Sequence, residues 1–459
     1  MHPKPGRPGR VLRPESPREW LARQFFSLLI RLVTPLYFVK LWRRGRAEPL
    51  YRQFWAERLA LSAAAEPDAL GAVWVHAVSL GETRAAEALV RELRRLNPAM
   101  RLLLTHSTAT GREAGKALLR AGDRQAWLPF DTPGAVRRFL RRHRPAIGVL
   151  METEIWPNLL WAAERAGVPM VLANARLSER SARRGHRLAA LLGPAVERIA
   201  LALAQTRADA ERLRDTGLAR VEVCGNLKFD LQPAANLLAQ GQAWRLRLNR
   251  AQGLRSVILA AVTREGEETL LLDAWTALRE QFASQNHAPL LVVVPRHPQR
   301  FDEVAALVEA RGLSLARRSS WKTVEGDAPS QSACAAEVWL GDSMREMPLY
   351  YAMADLALLG GSFAPLGGQN LIEAAACACP VLMGPHTFNF AEAARLAEQS
   401  GAAQRVADLA EALQRARALL DDPVTLALAR QHAEAFAAAH RGAGERMARA
   451  IQGVLLARG

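Results

Sequence analysis

Cysteine is scarce in this chain, and its few copies show no pairing pattern. The four cysteines among 459 residues are Cys224, Cys334, Cys377 and Cys379. None belongs to a C-x-x-C pair, and no histidine cluster has the spacing of zinc ligands. We therefore expect no metal site, and we predict that the cysteines are small buried side chains in a reducing cytosol.

Acidic residues are outnumbered, and aromatic residues are few. The chain has 61 lysines and arginines against 45 aspartates and glutamates, a formal net charge of +16. This excess predicts affinity for anionic partners such as phosphorylated ligands, an anionic membrane surface or nucleic acid. Aromatics make up only 6% of the residues and mostly belong to apolar runs, whereas single-strand binders interleave them with basic residues. We therefore expect no nucleic-acid partner.

No apolar run is long and uncharged enough for an ordinary membrane span. The nearest is WLARQFFSLLIRLVTPLYFVKLW at 20–42, which carries Arg23, Arg31 and Lys40. A spanning helix needs about 20 nearly charge-free residues. The sequence after the run also lacks the small-residue site of a cleaved signal peptide. We predict a membrane-associated amphipathic helix over residues 20–45.

Basic residues on both sides of this run favour the cytoplasmic face of a membrane. They are Arg7, Arg10, Arg13 and Arg18 before the run and Arg43, Arg44 and Arg46 after it. Two alternatives stay open, namely an amphipathic helix packed on the protein and a single membrane span. Residues 1–19 are basic and proline-rich, and we predict that they are disordered.

From residue 72 onward, short apolar runs alternate with amphipathic stretches, which is typical of βαβ units and a parallel sheet. One series extends from AVWVHAV to RVEVCG, and a second from SVILAAV to PVLMG. We predict an α/β fold with two Rossmann-like domains facing a cleft, at residues 46–235 and 236–425, and C-terminal helices at 426–459. Neither series opens with G-x-G-x-x-G, so the best signal for dinucleotide binding is missing.

Polar residues that follow the apolar runs are candidate site residues, because ligands bind beyond the carboxyl ends of strands in open parallel sheets. In the first series, the stretch HAVSLGE places Ser79 and Glu82 at the start of a helix. This spacing fits a capping box as well as it fits a general base that acts on a substrate hydroxyl.

Two other groups belong to the first series. Glu152 and Glu154 follow an apolar run and either share one strand face or line a loop. Two carboxylates at this place can position a polyhydroxylated or amino substrate, and an exposed pair is the alternative. Donors for anions follow in NARLSERS and GNLKFD, namely Asn174, Arg176, Ser178, Ser181 and Lys228. Lys228 lies nearest to the junction of the two series.

The second series offers an arginine and a glycine-rich loop. Arg296 stands between two prolines, and a stiff arginine fork suits phosphate, although a salt bridge is the alternative. Gly360 and Gly361 permit close backbone approach, and helix amides near Asn370 can bind phosphate. Glu373 can accept hydrogen bonds from ribose hydroxyls. A capping box at Asn370 and Glu373 is the alternative here.

Taken in order, these segments resemble one known family. They are HAVSLGET, LPFDTP, METEIWPN, NARLSERSA, GNLKFD, REGEE, VPRHPQRF, GGQNLIEAAA and LMGPHTFNF. The set closely resembles the 3-deoxy-D-manno-octulosonic acid (Kdo) transferases of lipopolysaccharide biosynthesis, over roughly residues 20–445.

The resemblance implies a GT-B glycosyltransferase that moves Kdo, with inversion, from its cytidine monophosphate (CMP) donor to a lipid A precursor (lipid IVA). It implies action at the cytoplasmic side of the inner membrane, on an anionic surface, without a metal or other cofactor. By motif position, the catalytic base is Glu82. The donor-binding positions are Arg296, Gly360, Gly361, Asn370 and Glu373. The acceptor-binding or sugar-binding positions are Ser79, Glu152 and Lys228.

The chain departs from the usual family pattern on the donor side. Arg264 and Gln369 stand where the family often has histidines. One alternative is another GT-B enzyme that uses a UDP-sugar and a lipid acceptor. A non-enzymatic basic protein that binds RNA or membrane is the alternative from a different class, and it is the least supported.

Overall fold

The structure, a computed structural model, describes residues 15–61, 71–283, 288–321 and 328–457. The predicted disorder of residues 1–14 lies outside this range. The chain divides into two compact units, one made of Met1–Leu231 with Arg441–Gly459 and the other of Gln232–His440.

The first unit is a seven-stranded parallel sheet with helices between its strands. In chain order its elements are α1 Pro17–Arg44, α2 Trp55–Arg58, β1 Val73–His76, α3 Leu80–Leu96, β2 Leu102–His106, α4 Ala109–Gly115, β3 Arg124–Trp127, α5 Pro133–His143, β4 Ile147–Met151, α6 Pro157–Arg165, β5 Met170–Ala175, α7 Glu179–Arg187, α8 Ala189–Val196, β6 Ile199–Ala204, α9 Arg207–Asp215 and β7 Val221–Val223. Successive residues of β1 enter opposite apolar clusters, with Trp74 on one face and Val73 and Val75 on the other.

The second unit is also a seven-stranded parallel sheet. Its elements are α10 Ala235–Gln252, β8 Val257–Thr263, α11 Glu267–Ala283, β9 Leu290–Pro295, α12 Phe301–Glu309, β10 Leu315–Arg317, α13 Gln331–Ala335, β11 Val338–Leu340, α14 Met347–Met353, β12 Leu356–Leu359, α15 Leu371–Ala376, β13 Val381–Met383, α16 Ala391–Gln399, β14 Ala403–Arg405, α17 Leu409–Asp421 and α18 Pro423–Ala439. Ile258 and Ala260 of β8 pack in one core cluster with Leu272 of α11.

The last helix, α19 at Ala443–Leu456, returns to the first unit. Met447 and Ile451 are buried in the same cluster as Val75. The Asp230 carboxylate accepts hydrogen bonds from the backbone N–H groups of Gly442 and Gly444, so it ties this end of the chain to the first unit. The compact units therefore divide after residues 231 and 440, whereas the sequence places the boundaries after 235 and 425.

Helix α1 begins at Pro17 rather than at residue 20. Ser16 and Glu19 form a reciprocal capping box, and proline suits the first helical position, so residues 17–19 are helical and not disordered. By length and hydropathy alone, α1 could cross a membrane. Its exposed large apolar side chains are Trp20, Leu21, Phe25, Leu28, Leu29, Leu32, Val33, Leu36, Tyr37, Val39 and Trp42.

The opposite side of α1 is fixed to the first unit by polar contacts. Arg23 forms a two-toothed ion pair with Glu15 and lies 4.3 Å over the ring of Trp161. The buried Ser27 hydroxyl donates to the Asn158 side chain at 3.0 Å. The helix therefore packs on the protein along one side and exposes an apolar side.

The apolar runs do not predict three of the strands, which are β3, β10 and β14. All three lie at sheet edges, where one backbone edge and much of the side-chain surface meet solvent. Their sequences RQAW, LAR and AQR are short and partly polar for this reason, so they give little hydrophobic signal.

Each sheet has a point where the strand order reverses. The first sheet runs β3-β2-β1-β4-β5-β6-β7 and reverses between β1 and β4. The second runs β10-β11-β9-β8-β12-β13-β14 and reverses between β8 and β12. Loops diverge to opposite faces at such a switch point and leave a crevice, which is where ligands bind in open parallel sheets.

Candidate active site

At the switch point of the first sheet, the loops after β1 and β4 bring three carboxyl groups together. Strands β1 and β4 are paired, with His76 opposite Leu150. Glu82 lies in the first turn of α3, and Glu152 and Glu154 follow β4. Because β4 ends at Met151, the last two line a loop rather than share a strand face. All three are half-buried.

Hydrogen bonds from the preceding loop hold Glu82 in place. Its carboxylate accepts from the backbone N–H of Val78 at 2.8 Å and from the Ser79 hydroxyl at 3.1 Å. The Ser79 oxygen accepts from the Glu82 N–H at 3.4 Å. The arrangement caps α3, although the Glu82 carboxylate accepts from the backbone N–H of Val78 and not from that of the cap residue Ser79. Capping and a chemical role are thus not exclusive, because capping fixes the carboxylate at the switch point.

The surroundings of Glu82 favour its protonated form. Burial raises the pKa of Glu82 to about 7, and the Glu152 carboxylate adds to the rise. The Val78 N–H, the Ser79 hydroxyl and the charge of Lys228 act in the opposite direction. A carboxyl group that titrates near neutral pH is matched to general-base catalysis.

The neighbouring groups respond to the same environment. Burial, followed by the charge of Glu82, raises the pKa of Glu154 to about 7. Burial also lowers the pKa of Lys228, against the opposing attraction of Glu152 and Glu82. The charges of Glu152 and Lys228 therefore act on the pKa of Glu82, and the charge of Glu82 acts on the pKa values of Glu154 and Lys228.

Some predicted anion donors have structural roles instead. Asn174 is fully buried with a positive φ of 55°, and its side-chain oxygen accepts from the Leu227 N–H at 3.0 Å. It therefore positions the short 3-10 helix at Leu227–Asp230 that carries Lys228. Ser178 caps α7 by accepting from the Ser181 N–H. Arg176 is exposed.

At the switch point of the second sheet, a carboxylate that the sequence does not single out lies at the centre of the loops. Glu267 opens α11 and is buried. One of its oxygens accepts from the N–H groups of Arg264 and Gly361 at 2.9 and 2.7 Å. The other accepts from Phe363 and Ala364 at 3.1 and 3.3 Å. The side chain thus connects the loop after β8 to the loop after β12.

The two glycines after β12 are required by the backbone. A Cβ at Gly360 would lie 2.3 Å from the carbonyl oxygen of Val262. Gly361 has a φ of 68°, which disfavours residues with a side chain. The Gly361 N–H points to Glu267. Both glycines are therefore explained by close packing and a left-handed turn, and their role in donor binding stays a prediction.

Basic side chains gather on the same side of the second unit. Arg296 directly follows β9, is exposed, and donates its backbone N–H to the Thr263 carbonyl at 2.9 Å. Burial and then the charges of Arg264, Arg296 and Arg300 lower the pKa of the half-buried His297. Arg300 is engaged in ion pairs with Glu268 and Glu303. In the part of the chain that the structure describes, the side chains of Arg264 and Arg296 form no ion pair or hydrogen bond.

Asn370 and Glu373 lie at the start of α15, as the sequence predicts. The Asn370 side chain accepts from the Ile372 N–H at 3.3 Å and so caps the helix. Glu373 is half-buried, and after the effect of burial its charge adds to the raised pKa of Tyr351. The helix has only 6 residues, so its dipole adds little to anion binding.

Two parallel α/β units, each with polar groups at its switch point, form the architecture of the GT-B fold. The Anabaena protein HepE, solved in complex with UDP, has the same fold. It is 13% identical and superposes with a TM-score of 0.54 over 84% of this chain and 100% of its own.

The chain belongs to the Kdo transferase family. A family model described as 3-deoxy-D-manno-octulosonic-acid transferase matches residues 53–231. The 3-deoxy-D-manno-octulosonic acid transferase of Bordetella pertussis is 46% identical over 94% of this chain and 99% of its own length. The Haemophilus influenzae enzyme of the same description is 34% identical over 86% of this chain and 89% of its own. The protein is therefore a glycosyltransferase that transfers Kdo.

Proposed function

We propose that the protein transfers Kdo from CMP-Kdo to a lipid A precursor, lipid IVA, at the cytoplasmic side of the inner membrane. The observation that carries the proposal is the Glu82 carboxyl group, which lies at a switch point with its pKa raised to about 7. Membership of the Kdo transferase family supports the transferred sugar. The strongly basic composition suits a phosphorylated glycolipid and an anionic bilayer.

Glu82 is the general base in this proposal. It takes the proton from an acceptor hydroxyl while that oxygen forms a bond to the anomeric carbon of Kdo. The bond from the anomeric carbon to the phosphate oxygen breaks in the same step, and CMP leaves from the opposite face with the electron pair. The configuration at the anomeric carbon is inverted. The bonds from Ser79 and Val78 keep the carboxylate oriented, and general-base action of this kind contributes about 10²–10⁴-fold.

The two units supply different binding groups. In the first unit, Glu152 and Lys228 contact the acceptor or the transferred sugar, because they are coupled to Glu82 and lie beside it. Ser79 orients Glu82 on the acceptor side. In the second unit, Arg296 neutralises the phosphate that leaves with CMP, since its guanidinium is exposed.

The remaining donor positions of the second unit shape the nucleotide site. Asn370 and Glu373 contact the nucleotide at the start of α15, where Glu373 can accept hydrogen bonds from ribose hydroxyls. Gly360 and Gly361 allow the loop after β12 to pass close to the donor.

Helix α1 attaches the enzyme to the membrane in this proposal. Its exposed apolar side includes Phe25, Leu32 and Leu36, which are between 66% and 69% accessible. Because Arg23 packs on Trp161 and Ser27 bonds to Asn158, we infer that α1 lies in the membrane surface instead of spanning it. Flotation with anionic vesicles tests whether the exposed apolar side of α1 attaches the protein to a membrane. Leu32→Glu should release the protein from the vesicles, whereas Val424→Glu, at an exposed site of the second unit, should not.

Product analysis tests the reaction. The purified chain is incubated with CMP-Kdo and a tetraacylated lipid A precursor, and the lipid products are weighed by mass spectrometry. A mass increase of one or more Kdo units is expected, and UDP-sugars in place of CMP-Kdo should give none. Transfer from a UDP-sugar, with no transfer from CMP-Kdo, would refute the donor assignment.

A further inference from the structure

The glycine-rich loop of the second unit has little backbone left to offer an anion. The N–H groups of Gly361, Phe363 and Ala364 all donate to the buried Glu267 carboxylate. Phosphate-binding loops instead direct such groups outward, towards the ligand. A phosphate bound over Gly361 therefore cannot use these three N–H groups and depends on the side chains around that glycine.

Two polar side chains lie against Gly361. A Cβ at that position would be 3.1 Å from the side-chain nitrogen of Gln369 and 3.5 Å from Cγ of Arg264. A side chain at this position would therefore push the Gln369 amide aside by a few tenths of an ångström and would touch Arg264 at an ordinary contact distance. Gly361 thus lies between the side chains of Arg264 and Gln369, and both side-chain types donate hydrogen bonds to anions.

The buried Glu267 carboxylate holds Gly361 and Arg264 in place through their backbone N–H groups. The same carboxylate oxygen accepts from the N–H of Gly361 and from the N–H of Arg264. Glu267 therefore fixes the position of Gly361 and of the backbone of Arg264. His297, whose surroundings include the charges of Arg264 and Arg296, shows that the two arginines approach the same region.

We propose that Arg264 and Gln369 bind the phosphate of the donor nucleotide over Gly361, and that Glu267 is the positioning residue that holds them there. This inference rests on the proposed function, in which the second unit binds CMP-Kdo. It assigns the phosphate to side-chain donors and gives the Gly360–Gly361 pair a structural role.

The first test compares CMP with cytidine as inhibitors of the full-length enzyme. Arg264→Gln should weaken inhibition by CMP roughly 10- to 100-fold, because a charge-assisted hydrogen bond is lost. Inhibition by cytidine, which has no phosphate, should change by less than about twofold. The control Arg415→Gln removes the same charge from an exposed site of the second unit, where the arginine contacts Gln404, and should change neither constant.

The second test concerns Glu267. Glutamine presents one oxygen and one NH2 group, so Glu267→Gln places an NH2 group against two of the four N–H donors. We expect Glu267→Gln to lose nearly as much CMP affinity as Arg264→Gln. The double variant should bind CMP no more weakly than the single variant with the lower affinity. The turnover number at saturating donor should fall much less than the Michaelis constant rises. Glu411→Gln is the control, because Glu411 also accepts a backbone N–H at a helix start.

The outcomes separate this inference from the proposed function. If CMP does not inhibit the wild-type enzyme, the donor assignment fails and this inference fails with it. If CMP inhibits the wild type and Arg264→Gln equally, or if cytidine inhibition falls as much as CMP inhibition, only the phosphate assignment is overturned. If Glu267→Gln lowers turnover and CMP affinity by similar factors and also lowers the melting temperature, Glu267 is structural and not a positioning residue.

Discussion

The two units place a glutamate at the same point of similar sheets, yet the two carboxylates lie in different environments. Glu82 follows β1 and Glu267 follows β8, each in the first turn of the next helix at a switch point. Glu82 is half-buried and accepts one backbone N–H and one hydroxyl. Glu267 is buried and accepts four backbone N–H groups.

The difference shows how local hydrogen bonding decides what a carboxylate can do. With few donors and other carboxylates nearby, burial raises the pKa of Glu82 to about 7, and the group can take up a proton. Glu267 uses both oxygens to hold two loops together and has little capacity left for a substrate. The same topological position thus suits proton transfer in one unit and loop positioning in the other.

The largest effect is expected from Glu82→Ala. Loss of the general base should lower the turnover number by about 10²–10⁴-fold while inhibition by CMP stays within about twofold of wild type. The fold should persist, because the change removes a charge whose surroundings already favour neutrality. Steady-state kinetics and circular dichroism check this, and near-wild-type turnover would remove Glu82 from the role of base.

Gly361→Ala should separate backbone strain from ligand contact. Gly312 is a matched control because it has the same φ of 68° and nothing within 4 Å of a built Cβ, whereas a Cβ at Gly361 meets Gln369 and Arg264. Both alanine variants should lose about 1 kcal/mol of folding stability. Only Gly361→Ala should also weaken CMP inhibition, by up to about tenfold, because the added methyl group displaces the Gln369 amide. Equal CMP inhibition of the two variants would contradict the contact.

The pH profile of the enzyme should report on the first unit. Because Glu82 acts as a base with a pKa of about 7, kcat/KM should fall about tenfold per pH unit below that value. Glu152→Gln removes a charge that raises this pKa, so the acidic limb should move to lower pH. Glu113→Gln, at an exposed pair with Lys116, should leave the limb in place. A limb that does not move in Glu152→Gln would show that the two carboxylates are not coupled.

The smallest effect concerns stability. The pKa of Glu154 is raised to about 7, above its unfolded value of about 4.3, so the folded state loses stability as pH rises between these values. Glu154→Gln should match wild type near pH 4 and melt higher at pH 8, by roughly 2–4 °C per kcal/mol regained. Glu179→Gln, an exposed control, should show the same difference at both pH values. A higher melting temperature at pH 4 alone would contradict the direction of the pKa change.

The sequence predicted the central strands well and the sheet edges poorly. Buried central strands such as β1 and β9 consist almost entirely of apolar residues, which makes them easy to identify. The edge strands β3, β10 and β14 are short and partly polar because less of their surface is buried. The return of α19 to the first unit depends on long-range contacts of Asp230, which no local pattern encodes.

The candidate site was predictable where residue type and strand position coincide. Glu152 and Lys228 do lie close enough to Glu82 to affect its pKa, as their positions after apolar runs suggest. Glu267 was missed as a site residue because its function depends on backbone N–H groups nearly a hundred positions away, at Gly361 to Ala364. The structural role of Asn174 could not be predicted either, because an asparagine near the end of a strand can bind a ligand or hold a neighbouring loop.

Parallel kinetics of Glu82→Gln and Glu267→Gln would test the contrast between the two carboxylates most directly. In one assay with CMP-Kdo, saturating turnover and inhibition by CMP are measured for both variants and for wild type. We expect Glu82→Gln to lose turnover and keep CMP affinity, and Glu267→Gln to lose CMP affinity and keep most of its saturating turnover. Identical losses in both variants, or the reverse assignment, would contradict the division of roles.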